Sequence, residues 1–137
     1  MSSPILEVKS VSKTFGNVKA LDSVDFSLQK GIIHGLLGEN GAGKSSLMNV
    51  LSGIYLPESG TIEIKNQKIQ KLNPDIASSL GVGMVHQEFR LIESFTIKDN
   101  LTLSKANIFS DNFEEAYKKY SEIFSLKSSY LTPINEL

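Results

Sequence analysis

Apolar and polar residues first alternate from Ile5 to Val11, with Leu6 and Val8 set against Glu7 and Lys9. That is the period of a strand with one face exposed. Lys13-Thr14-Phe15-Gly16-Asn17 breaks the run as a turn. Val24, Phe26 and Leu28 then alternate with Asp25 and Ser27, a second strand expected to pair antiparallel with the first. Ile32-Ile33-His34-Gly35-Leu36-Leu37 is a continuous apolar run and reads as a buried strand. Leu47, Val50, Leu51 and Ile54 recur at i, i+3, i+4 and i+7, one face of a helix, with Gly53 as its C-terminal cap and Pro57 barring resumption.

Pro57-Glu58-Ser59-Gly60 has turn chemistry. Thr61 to Lys65 alternates around Ile62 and Ile64, and Asn66-Gln67 turns the chain back through Lys68-Ile69. Asn73-Pro74-Asp75 opens a short helix that Gly81 ends. Val82-Gly83-Met84-Val85 reads as a short buried strand leading to His86-Gln87-Glu88-Phe89. Beyond Arg90 the pattern turns helical. Thr96 caps a short helix through Leu103, and Asp111-Asn112-Phe113-Glu114 has the form of a capping box. Phe113, Ala116, Tyr117, Tyr120 and Phe124 form the apolar stripe of a helix reaching about Leu126, a stripe expected in the core. Ser128 to Leu137 carries no clear pattern.

One stretch carries chemistry. Gly38-Glu39-Asn40-Gly41-Ala42-Gly43-Lys44-Ser45 fits G-x-x-x-x-G-K-[ST] at every fixed position, between the predicted strand 32–37 and the predicted helix. The glycines let bare backbone N–H groups approach a polyphosphate. Lys44 puts an ammonium where β- and γ-phosphates would lie, and the Ser45 hydroxyl suits Mg²⁺. The helix starting near Gly43 points its positive dipole end at the anion.

Composition narrows the picture. The 137 residues are 40% hydrophobic and 21% charged with net charge −1, ordinary for one domain with a real core. A pI near 6.1 and the lack of a basic block argue against a nucleic-acid surface. There is no cysteine, hence no disulfide framework or thiolate metal site. No apolar run approaches the roughly 20 residues of a membrane span, and Met1-Ser2-Ser3-Pro4-Ile5 lacks the pattern of a signal peptide. A soluble, cytoplasmic protein is the expectation.

Several segments together resemble the nucleotide-binding subunit of an ATP-binding-cassette (ABC) transporter, over about residues 4 to 137. The most specific is Gly38 to Ser46, continuing to Leu51-Ser52-Gly53. Pro57-Glu58-Ser59-Gly60-Thr61-Ile62 resembles the family's antiparallel subdomain, Gly83-Met84-Val85-His86-Gln87-Glu88 its Q-loop, and Phe95 to Leu101 the start of its helical subdomain. The loop and the Val85-His86-Gln87-Glu88 stretch are most similar to importers of simple sugars and of nucleosides, in which one polypeptide often carries two cassettes. The early first strand suggests the first of them.

The resemblance implies an α/β fold: an incomplete P-loop NTPase core with an antiparallel β subdomain (1–89) and part of a helical subdomain (90–137). It implies ATP and Mg²⁺ as ligands. Phe15 would stack on adenine, or else be an apolar plug beside the antiparallel strands. Gly38, Asn40, Gly41, Ala42, Gly43, Lys44, Ser45 and Ser46 would wrap the phosphates. Ser45 would hold Mg²⁺, Gln87 would reach the same ion or the attacking water, and Lys44 and Gln87 would serve catalysis, Gln87 by sensing γ-phosphate with a neutral amide. His86 is expected at a strand end or on the surface rather than in catalysis, and His34, between apolar neighbours, to be structural. The segment after Gln87, Phe89 to Ile97, would meet membrane permease subunits. A second cassette would complete the site, with the protein held at the inner face of the membrane through the permease.

The family pattern also includes an L-S-G-G-Q signature, a Walker B strand ending in Asp-Glu and a switch histidine. None occurs here; nowhere do four apolar residues run into Asp-Glu. The expectation is therefore the front of one cassette, stopping before the signature and binding nucleotide without turnover. The strands 32–37 and 82–85 would lack the neighbours that the family sheet places between them, leaving open a different pairing or association with another copy. A nucleoside importer, or a soluble ABC-type ATPase without a membrane partner, stays open as an alternative. A GTPase is disfavoured by the lack of an N-K-x-D motif.

Overall fold

The computed structural model describes residues 3–85, 91–103 and 112–137. They form two compact units, Met1–Val85 and His86–Leu137. In the first, β1 (Leu6–Phe15), β2 (Val18–Leu28), β3 (Ser59–Ile64) and β4 (Gln67–Ile69) make a sheet of order β2-β1-β3-β4. Every pairing in it is antiparallel.

β1 runs past its predicted end at Val11 to Phe15, and register shifts against β2 interrupt its two-residue period. Val8 and Val11 are both buried although they are three residues apart. A strict two-residue repeat would put them on opposite faces. The extra residue of β1 between Val8 and Val11, with Ser10 at φ 50, returns Val11 to the core, and the next shift lies in β2, where Ser23 takes φ 48. The amides freed at the bulges find acceptors: Ser10 N–H donates to Asp25 Oδ1 at 2.7 Å, and Ser23 N–H to Ser12 Oγ at 3.0 Å. The strand therefore runs on through Lys13-Thr14-Phe15, and only Gly16-Asn17 turns. Gly16 takes φ 56 there, a value glycine adopts without cost. Lys65 and Asn66 join β3 to β4 with both φ positive, the demand of a tight hairpin turn.

Helix α1 (Lys44–Leu51) contributes Leu47, Val50 and Leu51 to a core with Leu6, Val8 and Val11 of β1, Leu21 of β2, and Ile62 and Ile64 of β3. The 3.6-residue spacing puts all three on one side of α1. Helix α2 (Pro74–Ser79) adds Ala77. It starts as predicted, Asn73 Oδ1 accepting from Ile76 N–H at 2.8 Å.

Neither predicted parallel strand forms. Residues 32–37 and 82–85 carry no strand structure. Ile33 is fully exposed, Leu37 is 93% exposed and Val85 is 94% exposed. A strand exists by its ladder of hydrogen bonds, and neither run has a ladder partner among the described residues. An apolar groove of about 350 Å³ lies beside both runs, with Phe26, Leu28, Met48 and Leu51 in its wall. The setting predicted for the glycine-rich loop is thus met by its helix and not by its strand.

In the second unit, α3 (Ile97–Leu103) and α4 (Phe113–Phe124) are followed by a 3-10 turn (Ile134–Glu136). Thr96 and Asp99 cap α3 reciprocally. Thr96 Oγ1–H and N–H donate to Asp99 Oδ2 at 2.6 and 3.2 Å, and Asp99 N–H donates to Thr96 Oγ1 at 3.1 Å. The stretch without sequence pattern is held by its backbone: Ile97 N–H donates to Thr132 O and Lys98 N–H to Tyr130 O. The cap of α4 differs from the prediction. Asn112 is the cap residue, its amide donates to Glu115 Oε2 at 2.6 Å, and Glu114 instead accepts from Tyr130 Oη–H at 2.9 Å. Asp111 lies outside the described residues. The aromatic stripe splits. Phe113 and Tyr117 stack and meet Tyr130 edge-on at 5.5 and 5.4 Å, whereas Tyr120 and Phe124 are exposed rather than buried.

Candidate functional site: a glycine-rich loop on the edge of a sheet

After β2 the chain runs exposed from Gly31 to Ala42 and enters α1 at Lys44. Gly41 and Gly43 both take φ 86, in the left-handed region that costs other residues strain. At Gly43 the reason is contact. A Cβ there would overlap the carbonyl oxygen of Ala20 and reach Leu21 Cδ2 at 3.2 Å. The loop thus rests backbone to backbone on β2.

Lys44 folds back over the loop. Its ammonium donates to the carbonyl oxygens of Gly38 and Glu39, each at 2.7 Å. Ala42 N–H closes the turn on Glu39 O at 3.2 Å. Leu47 N–H makes the first helical bond, to Gly43 O, so the amides of Lys44, Ser45 and Ser46 precede the helical ladder. The N-terminus of α1 has no side-chain cap and no acidic residue in its first turn. Its positive end is therefore not compensated by a side chain of that turn. Ser45 is exposed beside it and Ser46 is half-buried; Gly38, Asn40, Gly41 and Ala42 are exposed.

Phe15 ends β1 opposite Val18. Ala20, against which Gly43 sits, is two residues further along β2, about 7 Å. Phe15 and the loop therefore share one end of the sheet. The Phe15 ring is 39% exposed, so it is not a fully buried plug. It meets Tyr55 edge-on at 4.9 Å between centroids, and Lys13 Nζ lies 5.4 Å from its centre. Lys13 in turn pairs with Glu58 at 3.8 Å. The sequence pattern missed Tyr55, Lys13 and Glu58, and its only signal for Tyr55 was an aromatic just past the end of α1. Gln87 and His86 lie outside the described residues. His34 is exposed and packs its ring edge-on against Phe26 at 5.3 Å. Among the described residues no cluster of three metal-ligating side chains occurs, so Ser45 offers a single hard oxygen.

A glycine-rich loop opening a helix over an antiparallel sheet places the molecule among P-loop α/β proteins, with that core present in part. Comparison with known proteins makes the class specific. The family model for ABC transporters matches residues 21–135. The chain belongs to the ABC transporter family. It is 46% identical over 101 residues to the guanosine import ATP-binding protein NupO of Bacillus subtilis, covering 74% of this chain and 20% of that protein. It is 46% identical over 106 residues to the ribose import ATP-binding protein RbsA 2 of Rhizobium meliloti, covering 77% and 21%. Over 126 residues it is 46% identical to the galactose/methyl galactoside import ATP-binding protein MglA of Clostridium perfringens, covering 90% and 24%. The chain spans about a fifth to a quarter of the length of these relatives. Among solved structures, a nucleotide-free ATP-binding cassette from an ABC transporter superposes with TM-score 0.79 at 29% identity, over 98% of this chain and 59% of that one. The ADP conformation of the cassette MJ1267 gives 0.78 at 27%, over 99% and 59%.

Proposed function

We propose that this chain binds MgATP through Gly38 to Ser46 and serves as the front of an ATP-binding cassette that powers import of a small sugar. The observation that carries the proposal is the Lys44 ammonium, folded over the Gly38 and Glu39 carbonyls at the open N-terminus of α1. Two neutral carbonyls hold the cation where a polyphosphate, far more negative, would replace them. The loop amides from Asn40 to Ser46 would take the remaining phosphate oxygens, and Phe15 would stack on the base.

The exposed Ser45 hydroxyl fits Mg²⁺, which keeps water and phosphate oxygens and asks little of the protein. Bound there, the ion would neutralise charge on the β- and γ-phosphates. Gln87 is assigned the companion role of reaching the ion and sensing γ-phosphate. Lys44 neutralises charge and orients the phosphates, which is the protein's main contribution in phosphoryl transfer. No Walker B Asp-Glu pair occurs in the 137 residues. Lacking that general base costs about 10²–10⁴-fold, so this chain is expected to bind without turnover.

In the importer, hydrolysis would belong to two cassettes acting together. The division at residue 89/90 would separate the nucleotide-binding part from the start of the helical subdomain, whose segment after Gln87 would meet the permease at the inner face of the membrane. No helix among the described residues is long and apolar enough to cross it. A nucleoside cargo is the second reading, supported by the similarity to a guanosine import protein. Co-purification with a permease would separate both from a soluble ABC-type ATPase.

Calorimetric titration of MgATP and MgADP into the purified chain, with Lys44→Ala alongside, tests the binding reading. Saturable binding that the variant loses is expected. Binding that survives the substitution would place the nucleotide elsewhere and end the assignment.

A further inference from the structure

We propose that Tyr55 is a positioning residue that fixes the Phe15 ring for stacking on the base of a bound nucleotide and ties that end of the site to α1. The proposal rests on the nucleotide reading above. Phe15 closes β1 at a two-residue hairpin, half out of the protein. A phenyl ring in such a place has open rotamers, and ordering it on binding would cost affinity. Tyr55 removes that freedom. Its ring meets Phe15 edge-on at 4.9 Å, and the residue packs against the hydrophobic core.

The support for Tyr55 comes from the helix that begins in the phosphate loop. Asn49 O of α1 accepts from both Ile54 N–H at 2.9 Å and Tyr55 N–H at 3.2 Å. Lys44, at the start of that helix, and Tyr55, just past its end, therefore belong to one continuously bonded run. The same connection grips β1 from outside. Glu58 N–H donates to Ser12 O at 2.9 Å, Glu58 Oε1 accepts from Thr14 N–H at 3.1 Å, and its carboxylate pairs with Lys13. Lys13 then sets its ammonium over the Phe15 ring at 5.4 Å. One short stretch, 54–58, thus fixes the ring through Tyr55 and the strand bearing it through Glu58.

A base-dependent readout isolates this role. Calorimetry on the full chain would give Kd for MgATP and for Mg²⁺–tripolyphosphate, which has the phosphates and no base. Wild type, Tyr55→Leu, Tyr55→Phe and Lys44→Ala would be compared, each checked for folding by thermal denaturation. Tyr55→Leu is expected to weaken MgATP roughly three- to tenfold, the scale of one aromatic pair, and to leave tripolyphosphate unchanged. Tyr55→Phe should restore wild-type affinity. Unchanged MgATP affinity in Tyr55→Leu would overturn the inference. Equal weakening of both ligands would overturn it too, by making Tyr55 a structural prop of α1. If wild type binds neither ligand, or Lys44→Ala binds both as well as wild type, the nucleotide reading itself fails and takes the inference with it.

Discussion

Gly43 faces the carbonyl oxygen of Ala20 with no room for a side chain between them. Gly41, two residues earlier, has the same φ of 86, and a Cβ there would meet nothing within 4 Å. The pair separates two costs that glycine motifs usually mix. Gly41→Ala should lose about 1–2 kcal/mol from its left-handed backbone alone. Gly43→Ala should lose that and also lift the loop from β2, destabilising the chain further and abolishing MgATP binding. Urea denaturation and calorimetry measure both. Equal losses of stability in the two variants would mean that the loop does not depend on its seat at Ala20.

The helix after the loop was legible because its pattern is local: Gly43 stands where α1 begins, and the apolar positions Leu47, Val50 and Leu51 name the face that it buries. The sequence foretold β1 poorly, since the bulge at Ser10 changes the face of Val11, and a strict two-residue period read from the sequence does not say where an extra residue falls. It took residues 32–37 for a strand because an apolar run reports only that a segment would rather be buried. Whether it pairs depends on neighbours that no local pattern encodes. Tyr55 was invisible for a related reason. Its partner Phe15 is forty residues earlier, joined to it only by the sheet and helix together.

The exposed apolar run makes a second prediction. Gly31 to Gly38 contains no charged residue and no proline, and its backbone has no ladder partner among the described residues. Such a segment is prone to pair with another chain. Ile33 is fully exposed, so Ile33→Lys removes no core contact. Its effect on stability should stay within about 0.5 kcal/mol. Light scattering at rising protein concentration should show association in wild type and less of it in the variant. Equal scattering in both would clear this run of responsibility.

Leu47 is 4% exposed on the first turn of α1, so it binds the helix of the glycine-rich loop to the sheet. Leu47→Ala should cost about 2–5 kcal/mol, the range for emptying a buried leucine site. Denaturant midpoints would read it. A loss under 1 kcal/mol would mean that α1 is not anchored through this residue, and that Lys44 is held by the loop alone.

Asp99 gives the last prediction, one of pH. Hydrogen bonds from the Thr96 hydroxyl, and then from its amide, hold the Asp99 carboxyl below the ordinary aspartate value of 3.8. A carboxylate depressed in the folded state favours folding above its unfolded pKa, and that contribution disappears as pH falls through the lower, folded value. The cap should therefore be intact at neutral pH and should loosen only below about pH 4. Asn100 N–H, which donates to Thr96 O at 3.1 Å, is the reporter. Its protection against hydrogen exchange, corrected for the intrinsic rate, should fall from pH 5 to pH 3 in wild type. In Asp99→Asn, which accepts a hydrogen bond but does not titrate there, the protection should be independent of pH across that window. A fall of the same size in the variant would assign the pH response to another group, and a flat profile in wild type would show that the Thr96–Asp99 cap does not govern the start of α3.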